Sequence, residues 1–317
     1  MLHNLDTITD FVDEASDFGQ TAGLAVITKI EGSSPRPLGT ILAVREDGQW
    51  VGTLSGGCIE GIVAAEVLRV VRAGHTETLR LGVGSPLIDV RLPCGGGMEL
   101  FLTPAPCCDT LTVIDKLLSA RRPIALKFQD GSAIDARMAE EGEQTGPCET
   151  GFVAVYRPRL GVHILGNGVE TVQLARLATT FGACVTVTSG ERSVLNQLEG
   201  IRTFEIKTAT SPANILADRW TAVVFLFHDH DWEMELLPQA LQTEAFYVGA
   251  MGSVRTQRAR LQALDATGLS TANLNRLISP VGLLPRSKDP HTLALSILAQ
   301  IVSHLGEGDE LATAPQC

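Results

Sequence analysis

The second half of the chain alternates strand-like and helix-like patterns, and this alternation restricts its fold more than any other feature. Five apolar segments of strand length lie between residues 162 and 249, and helical stretches separate them. Strands that alternate with helices form a parallel sheet with right-handed crossovers. The first strand runs into a Gly-Asn-Gly turn at residues 166–168, which is typical of a nucleotide-binding domain. We therefore predict a Rossmann-like parallel-sheet domain over residues 158–317.

The first half has the mixed pattern of an α/β domain. Its predicted elements are helices at 5–15 and 59–73 and strands at 24–30, 77–81, 88–92 and 98–103. This pattern predicts an N-terminal α/β domain over residues 1–105. Residues 106–157 are predicted to connect the two domains through a helix, a strand and a polar linker at 139–149, because charged residues and glycine dominate that last stretch.

The first candidate site is a loop at residues 32–39 that contains Ser33, Ser34 and Arg36. Proline on each side of Arg36 restricts the backbone, so an arginine clamp on a phosphate loses less conformational freedom on binding. The alternative is a surface turn whose prolines only stiffen a hairpin connection. We predict that Arg36 binds an anion, because a second loop of matching chemistry follows in the sequence.

The second candidate site is the Ser-Gly-Gly-Cys turn at residues 55–58, between a predicted strand at 49–54 and the helix at 59–73. Its glycines permit positive φ angles and a close approach to a ligand. Such a turn directs free backbone N–H groups at an anion. We expect Cys58 in the first turn of the helix, where the helix dipole favours the thiolate.

A third turn, Cys-Gly-Gly-Gly at residues 94–97, lies between the predicted strands at 88–92 and 98–103. If those strands pair, Cys58 and Cys94 lie at one rim beside the Arg36 loop. The alternative is two unrelated turns. Two thiols at one rim would suit a soft metal, and either cysteine is then the candidate metal contact.

The glycine turn of the second domain departs from the dinucleotide fingerprint in two places. Thr171 stands where the fingerprint has a third small residue, and the second strand ends in Ser189 instead of an acidic residue. Glu191 lies nearby but is displaced. We therefore do not expect NAD in its usual pose; a phosphate held by Ser189 and Arg192 is the alternative.

A His-Asp-His-Asp segment at residues 228–231 follows the fourth predicted strand of this domain. It is rich in metal-ligand types, but consecutive side chains point in different directions, which disfavours one metal held by all of them. We expect His228 and Asp229 to bind a ligand by hydrogen bonds and Asp231 to cap the following helix.

The turn after the fifth predicted strand contains Gly252 and Ser253 and opens a helix. It offers a second phosphate-sized cradle with Arg255 beside it. The alternative is a tight turn whose arginine faces solvent. Arg258 and Arg260 on the same helix are interpreted as charges that balance an acidic surface.

Composition excludes several classes of function. The formal net charge is −11 and no run of basic residues occurs, so binding to nucleic acid or to an anionic membrane surface is not expected. No segment reaches the ~18 apolar residues of a membrane-spanning helix, and the N-terminus lacks the features of a leader. The 7 cysteines have irregular spacing, which fits a reducing compartment. We expect a cytoplasmic protein.

The motifs of both halves resemble the XdhC/CoxI family, whose members are accessory factors of xanthine dehydrogenase and related molybdenum hydroxylases. The matching motifs are Gly-Ser-Ser-Pro-Arg-Pro-x-Gly at 32–39, Ser-Gly-Gly-Cys-x-Glu at 55–60, Cys-Gly-Gly at 94–96, Gly-Asn-Gly at 166–168, His-Asp at 228–229 and Ser-Pro-Val-Gly-Leu at 279–283. The resemblance covers nearly the whole chain. This chain departs from the family pattern at Val169, Ser189 and Gln300, where the family usually has histidine, a nearby aspartate and glutamate.

The resemblance implies a chaperone for the molybdenum cofactor (molybdopterin), a pterin dithiolene that carries a phosphate. It would protect the cofactor, present it to a cysteine desulfurase for sulfuration and insert it into an apo molybdenum hydroxylase. Cofactor-biosynthesis or nucleotide-transfer proteins are further implied partners, and no catalytic turnover is required. The residues that would hold the cofactor are Ser33, Ser34, Arg36, Ser55, Gly56, Gly57, Cys58, Cys94, Gly166, Gly168, His228, Asp229, Gly252 and Ser253.

Two other functions stay open at this point. An NAD(P)-dependent oxidoreductase would use the glycine turn at 166–168, but it leaves the cysteine turns of the first half unexplained. A docking module without a ligand leaves the Arg36 loop unexplained. The last predicted helix, at residues 290–304, is apolar on a broad face, which fits either a homodimer seam or packing on its own sheet.

Overall fold

The computed structural model describes residues 5–82, 85, 96–208, 215, 217–285 and 287–307. The chain forms two compact units, Met1–Pro158 and Arg159–Cys317. Both units combine helices with sheets, so the predicted α/β class is confirmed. The strand predicted at 88–92 lies outside the described residues. Within the described ranges, no helix has both the length and the hydropathy of a membrane-spanning segment.

The elements of the N-terminal unit follow the hydrophobic pattern of the sequence. In chain order they are α1 (Leu5–Asp17), β1 (Ala22–Glu31), β2 (Ile41–Arg45), β3 (Trp50–Val51), α2 (Glu60–Ala73), β4 (Glu77–Gly82), β5 (Gly97–Pro104), α3 (Cys108–Ser119), β6 (Ile124–Phe128), β7 (Asp135–Met138), β8 (Gly146–Cys148) and β9 (Gly151–Tyr156). Apolar residues spaced three to four apart give α1 and α2 one buried face each. Gly74, at φ +67°, ends α2 in the left-handed conformation that favours glycine.

Five strands of this unit form an antiparallel sheet in the order β3-β2-β1-β5-β4. Because each neighbouring pair is antiparallel, β1, β3 and β4 run in one direction and end towards the same edge. At that edge Glu31 of β1 pairs with Gly97 of β5. The loops at residues 32–40 and 52–59 follow β1 and β3 and leave the sheet there. The edge therefore carries both the Arg36 loop and the Ser-Gly-Gly-Cys turn.

Two apolar cores cover the faces of this sheet. On one face α2 packs through Val63, Val67 and Val70. On the other face α1 and α3 share a core with a second antiparallel sheet, whose four strands have the order β7-β6-β9-β8. Because the apolar residues of α1 and β1 pack in the same core as those of β6 and β9, the second sheet is an integral part of the N-terminal unit.

The stretch predicted as a polar linker, residues 139–149, contains a short strand at its end. Gly146–Cys148 forms β8 and pairs with β9, and the Thr145 hydroxyl oxygen accepts a hydrogen bond from the Val155 N–H at 2.9 Å. The strand is short, lies at the edge of its sheet and is partly exposed, so its sequence has no apolar alternation to reveal it.

The C-terminal unit contains one parallel sheet with helices on both faces. Its elements are β10 (Gly161–Gly166), α4 (Gly168–Phe181), β11 (Cys184–Ser189), α5 (Arg192–Leu195), β12 (Arg202–Glu205), β13 (Thr221–Leu226), α6 (His230–Leu241), β14 (Tyr247–Ala250), α7 (Val254–Asp265), α8 (Thr271–Leu274), β15 (Leu277–Ile278) and α9 (Pro290–Glu307). α4 and α9 share the apolar core on one face, and α6 and α7 share that on the other. The broad apolar face of α9 is thus buried within this unit.

The strand order of this sheet is β12-β11-β10-β13-β14-β15, and every neighbouring pair is parallel. Numbered from its first strand, this is the 3-2-1-4-5-6 order of the Rossmann fold, and the predicted Rossmann-like domain is confirmed. The strand order reverses between β10 and β13. The turns that follow these two strands, at residues 166–168 and 227–229, therefore flank the crevice where such sheets bind ligands.

Candidate functional site

The Arg36 loop is held in a tight turn by its own serine. Ser34 Oγ accepts a hydrogen bond from the Arg36 N–H at 3.2 Å and donates one to the Arg36 carbonyl at 2.8 Å. Ser33 is exposed on the same loop. Arg36 Nε is buried and, within the described part of the chain, has no hydrogen-bond partner. A buried guanidinium N–H without an acceptor is unfavourable, so an anion that reaches it gains binding energy.

The far end of the loop is fixed by the second sheet. Tyr156 on β9 is buried, and its hydroxyl donates to the Gly39 carbonyl at 2.7 Å. A Cβ on Gly39 would lie 3.1 Å from Thr145 and 3.2 Å from Ala154, and Gly39 has φ +79°. Burial raises the pKa of Tyr156, so its hydroxyl keeps the proton that it donates. The position of the Arg36 loop therefore depends on β9.

Tyr156→Phe is expected to lower the free energy of unfolding by about 1–2 kcal/mol, because the buried Gly39 carbonyl loses its donor. Urea titration measures this loss, and amide exchange at residues 38–40 should become faster. Tyr247→Phe is the matched control, since it removes the Tyr247–Gln300 hydrogen bond of the other unit. Unchanged exchange at residues 38–40 in Tyr156→Phe would contradict the anchoring role.

The N–H groups of the Ser-Gly-Gly-Cys turn are not free, so the expectation that they await an external anion was wrong. The carboxylate of Glu60 folds back into the turn and accepts hydrogen bonds from the N–H groups of residues 54, 55, 56, 57 and 59. The hydroxyls of Thr53 and Ser55 donate to it as well. Gly56 and Gly57 adopt this conformation at φ +91° and +118°. The turn is an anion cradle that a side chain of the same protein fills.

These contacts control the charge of Glu60. Burial acts to raise the pKa of this carboxyl, since Glu60 is 2% exposed. Hydrogen bonds from the Ser55 N–H, the Thr53 hydroxyl and other donors of the turn outweigh burial and lower the pKa to about 2. Glu60 is therefore ionised at neutral pH, and a second anion in the turn would meet its negative charge.

Cys58 lies before the helix and not in its first turn, which corrects the expected placement. α2 begins at Glu60 and Ile59 is its N-cap residue, because the turn closes on the Glu60 carboxylate before the helix starts. The Cys58 N–H donates to Ser55 Oγ at 3.2 Å, and the residue is exposed. Cys58 is thus a solvent-facing thiol on a fully hydrogen-bonded turn.

Cys94 lies outside the described residues, whereas Gly96 and Gly97, which follow it, are described and lie close to the Arg36 loop. A Cβ added to Gly96 would lie 2.3 Å from the Glu31 carbonyl oxygen and 3.4 Å from the Ser33 carbonyl oxygen. Gly97 pairs with Glu31 at the end of β1. Residues 96–97 therefore contact the start of the Arg36 loop, and no larger residue fits at position 96.

The glycine turn of the C-terminal unit is packed as a Rossmann turn. A Cβ on Gly166 would lie 2.6 Å from Thr171 Oγ1 and 2.8 Å from the Leu226 carbonyl oxygen. Thr171 is fully buried, and its hydroxyl donates to the Asn167 carbonyl at 3.1 Å. Gly168 begins α4 at φ +79°. Thr171 therefore fits at the third fingerprint position by bonding to the turn itself.

Two carboxylates lie against this turn. The Gly168 N–H donates to Glu191 Oε2 at 3.4 Å, and Glu170 Oε2 is 3.5 Å from His228 Nε2. Asn167 Oδ1 accepts hydrogen bonds from the Ser189 hydroxyl at 2.8 Å and from the Gly190 N–H at 3.2 Å. Ser189 is therefore engaged within the turn. The negative charge of Glu170 and Glu191 opposes a pyrophosphate at this helix N-terminus.

His228 and Asp229 follow β13 at the same crevice. His228 is exposed, whereas Asp229 is the N-cap of α6 and accepts a hydrogen bond from the Asp231 N–H at 3.0 Å. The predicted cap was Asp231; Asp229 takes that role because it immediately precedes the helix. In the portion of the chain that is described, no group of three or more His, Cys, Asp or Glu side chains is placed to hold a metal.

The Gly252-Ser253 turn caps the helix that follows it. Ser253 caps α7, and its Oγ accepts a hydrogen bond from the Thr256 N–H at 3.1 Å. Gly252 has φ +154° and Arg255 is exposed. Arg260, interpreted from the sequence as a surface charge, is 4% exposed and pairs with Glu233, which corrects that interpretation.

Sequence reasoning missed the residues that fix the candidate loops. Tyr156 and Thr145 gave no local signal, because their contacts with Gly39 cross more than 100 residues. Glu60 did give one, because it is the last residue of the Ser-Gly-Gly-Cys-x-Glu motif at residues 55–60, and a glutamate at the start of a helix can reach back to N–H groups that precede it.

Comparison with known proteins gives consistent matches over nearly the whole chain. Residues 162–301 match the family model of the XdhC Rossmann domain, and residues 16–82 match that of the XdhC and CoxI family. The chain is 35% identical over 297 residues to the molybdenum cofactor insertion chaperone PaoD of Escherichia coli K12, covering 94% of this chain and 87% of that protein. It is 23% identical over 284 residues to the uncharacterised protein YqeB of the same organism, covering 88% of this chain and 42% of YqeB.

A solved structure supports the fold. A crystal structure described as a xanthine dehydrogenase from Bacillus halodurans superposes with a TM-score of 0.74 at 23% sequence identity. The match covers 97% of this chain and 98% of that one. Both units of the fold therefore have a counterpart in that structure.

Proposed function

We propose that this chain, which belongs to the XdhC and CoxI family, binds the molybdenum cofactor as cargo and inserts it into an apo molybdenum hydroxylase. The observation that carries this proposal is the 35% identity, over 94% of the chain, to a molybdenum cofactor insertion chaperone. The fit of the site supports it, because the Arg36 loop presents a buried guanidinium N–H without a partner among the described residues.

Arg36 is the proposed phosphate ligand of the cargo. Its guanidinium binds phosphate oxygens by charge-assisted hydrogen bonds, with Ser33 and Ser34 on the same loop. Ser55, Gly56 and Gly57 frame the neighbouring turn, and Cys58 and Cys94 supply the thiols proposed near molybdenum, which tolerates soft sulfur ligands. In the C-terminal unit, the proposed ligand-binding residues are those of the crevice: Gly166, Gly168, His228, Asp229, Gly252 and Ser253.

The proposed sequence of events has three steps that need no turnover by this chain. The bound cofactor is kept from solvent, is presented to a cysteine desulfurase for sulfuration, and is passed to a hydroxylase of the xanthine dehydrogenase or aldehyde oxidoreductase type. Cofactor-biosynthesis or nucleotide-transfer proteins supply the cargo. We place these events in the cytoplasm.

The alternative of an NAD(P)-dependent oxidoreductase is not favoured. The N-terminus of α4, where a pyrophosphate would bind, is faced by Glu170 and Glu191. Ser189 stands where the fingerprint has a ribose-binding carboxylate, and its hydroxyl is bonded to Asn167. The turn keeps the shape of a dinucleotide site, but the negative charge of its two glutamates opposes the pyrophosphate of a dinucleotide.

Arg36→Ala is expected to weaken retention of the cofactor by about 10–100-fold, which is the loss of one or two charge-assisted hydrogen bonds. The protein is loaded with molybdenum cofactor and desalted, and molybdenum and the pterin oxidation product are then quantified per chain. Arg72→Ala is the matched control, because Arg72 is an exposed arginine in the last turn of α2. NAD(P) serves as the control ligand.

Retention near one cofactor per chain in the unaltered protein and in Arg72→Ala, with loss in Arg36→Ala, supports both the function and the site. Equal retention in all three proteins would remove Arg36 from the site. Binding of NAD(P) without retention of the cofactor would overturn the proposed function.

A further inference from the structure

We infer that Glu60 is a positioning residue that fills the anion cradle beside Cys58 with the chain's own carboxylate, so that the turn presents Cys58 to the cargo without binding the cargo's phosphate. The part of this inference that concerns the cargo rests on the proposed function. The part that concerns the turn rests only on the hydrogen bonds that Glu60 accepts.

The cradle has no vacant donor. Glu60 Oε1 accepts hydrogen bonds from the Leu54, Ser55 and Gly56 N–H groups at 2.9, 2.9 and 3.2 Å. Glu60 Oε2 accepts from the Gly57 and Ile59 N–H groups at 3.0 and 3.1 Å. The remaining N–H of the series, that of Cys58, donates to Ser55 Oγ. Every N–H from residue 54 to residue 59 therefore has an acceptor inside the turn.

The arrangement has an inner and an outer side. Leu54, Ile59 and Glu60 are buried, whereas Gly56, Gly57 and Cys58 are exposed. The carboxylate therefore holds the turn from its buried side, and the thiol stands on the side that a ligand can reach. An ordinary N-cap satisfies one or two N–H groups, but this carboxylate satisfies five, together with two hydroxyls.

This arrangement gives the two loops different roles in binding the cargo. A phosphate that approached the turn would find its donors occupied and would meet the negative charge of Glu60. Arg36, with its buried and unpartnered Nε among the described residues, is the group left to bind a phosphate at this edge. Glu60 thereby directs the anionic end of the cargo to Arg36 and leaves Cys58 to its other end.

Chemical rescue tests the inference without any cofactor. Glu60→Ala empties the cradle, and formate is a carboxylate small enough to enter it. Glu66→Ala is the matched control, because Glu66 is a carboxylate on the same helix whose described ion pair is with Arg69 at the surface. Thermal unfolding and amide exchange of residues 54–59 are followed in sodium formate and in sodium chloride of equal ionic strength.

In chloride, Glu60→Ala is expected to unfold about 5–10 °C below the unaltered protein, and its amides at 54–59 should exchange at least about tenfold faster. Formate should restore part of both losses in Glu60→Ala and should change neither the unaltered protein nor Glu66→Ala. A loss that came only from the packing of the Glu60 methylene groups would not respond to formate, because formate replaces the carboxylate alone. If Glu60→Ala does not fold, Glu60→Gln, which keeps one carbonyl oxygen, carries the exchange measurement.

Two outcomes would overturn the inference. One is equal exchange at residues 54–59 with and without the Glu60 carboxylate. The other is added protection of those amides by inorganic phosphate in the unaltered protein, since this would show that the turn admits an external anion despite Glu60. Neither readout involves molybdenum, so failure of this inference and failure of the chaperone function are told apart by the separate cofactor-retention assay.

Discussion

Arg260→Met is expected to lower the free energy of unfolding of the C-terminal unit by about 3–5 kcal/mol, because it leaves a carboxylate buried without its partner. Arg260 is 4% exposed and Glu233 is 1% exposed. The Arg260 Nε and Nη2 donate to Glu233 Oε2 at 3.0 and 2.7 Å. Water cannot replace these donors at a site that is closed to solvent.

The effect should reach beyond the ion pair. Arg260 Nη2 also donates to the Met251 carbonyl at 2.8 Å, and Nη1 donates to Ser279 Oγ at 2.8 Å. These residues directly follow β14 and β15, so one guanidinium ties α6 and α7 to the carboxyl ends of two strands. The turn that contains Gly252 is expected to loosen along with the pair.

Urea titration of Arg260→Met, Glu233→Leu and the double variant measures the coupling between the two residues. The double variant should be more stable than either single variant, because it removes both charges from the core. Arg258→Met is the control, since Arg258 is exposed on the same helix. A loss below about 1 kcal/mol in Arg260→Met would show that the pair is not buried as described.

Acidification is expected to remove about 3 kcal/mol of stability that Glu60 supplies, because its pKa falls from 4.5 when unfolded to about 2 when folded. A carboxyl whose folded pKa is lowered stabilises the fold above its unfolded pKa. Its contribution begins to fall near pH 4.5 and is lost once the pH passes below about 2. The ionised carboxylate is needed because five N–H groups and two hydroxyls of the turn donate to it.

The difference between the unaltered protein and Glu60→Gln isolates this contribution. Other carboxyls whose pKa is lowered, such as that of Glu31, are present in both proteins, so their contributions cancel in the difference between the two unfolding free energies. The gap in unfolding free energy between the two proteins should be largest near neutral pH and should close towards pH 2. A gap that stays constant with pH would mean that the charge of Glu60 does not stabilise the turn.

Repeating patterns made much of the fold predictable from the sequence. The alternation of strands and helices after residue 160 defined a parallel sheet, and short-range glycine turns marked the ends of its strands. The positions of the two candidate loops in the N-terminal unit followed from the strands before them. In each case the signal lay within about ten neighbouring residues.

The remaining features depend on contacts that a local pattern does not encode. Glu233 and Arg260 lie 27 residues apart, on different helices, and each looks like an ordinary surface charge in its own segment. β8 is a three-residue edge strand whose composition is that of a loop. Glu60 was visible in the motif at residues 55–60, but its role is clear only when the carboxylate is seen inside the turn.

The second sheet of the N-terminal unit determines how short an N-terminal fragment of the chain can be and still fold. A fragment that ended at residue 105, where the first sheet is complete, would retain every residue of the Arg36 loop and of the Ser-Gly-Gly-Cys turn. It would lack Tyr156, whose hydroxyl binds Gly39, and it would expose the apolar faces of α1 and β1 that β6 and β9 cover. The shortest fragment expected to fold with a native Arg36 loop therefore extends to Pro158.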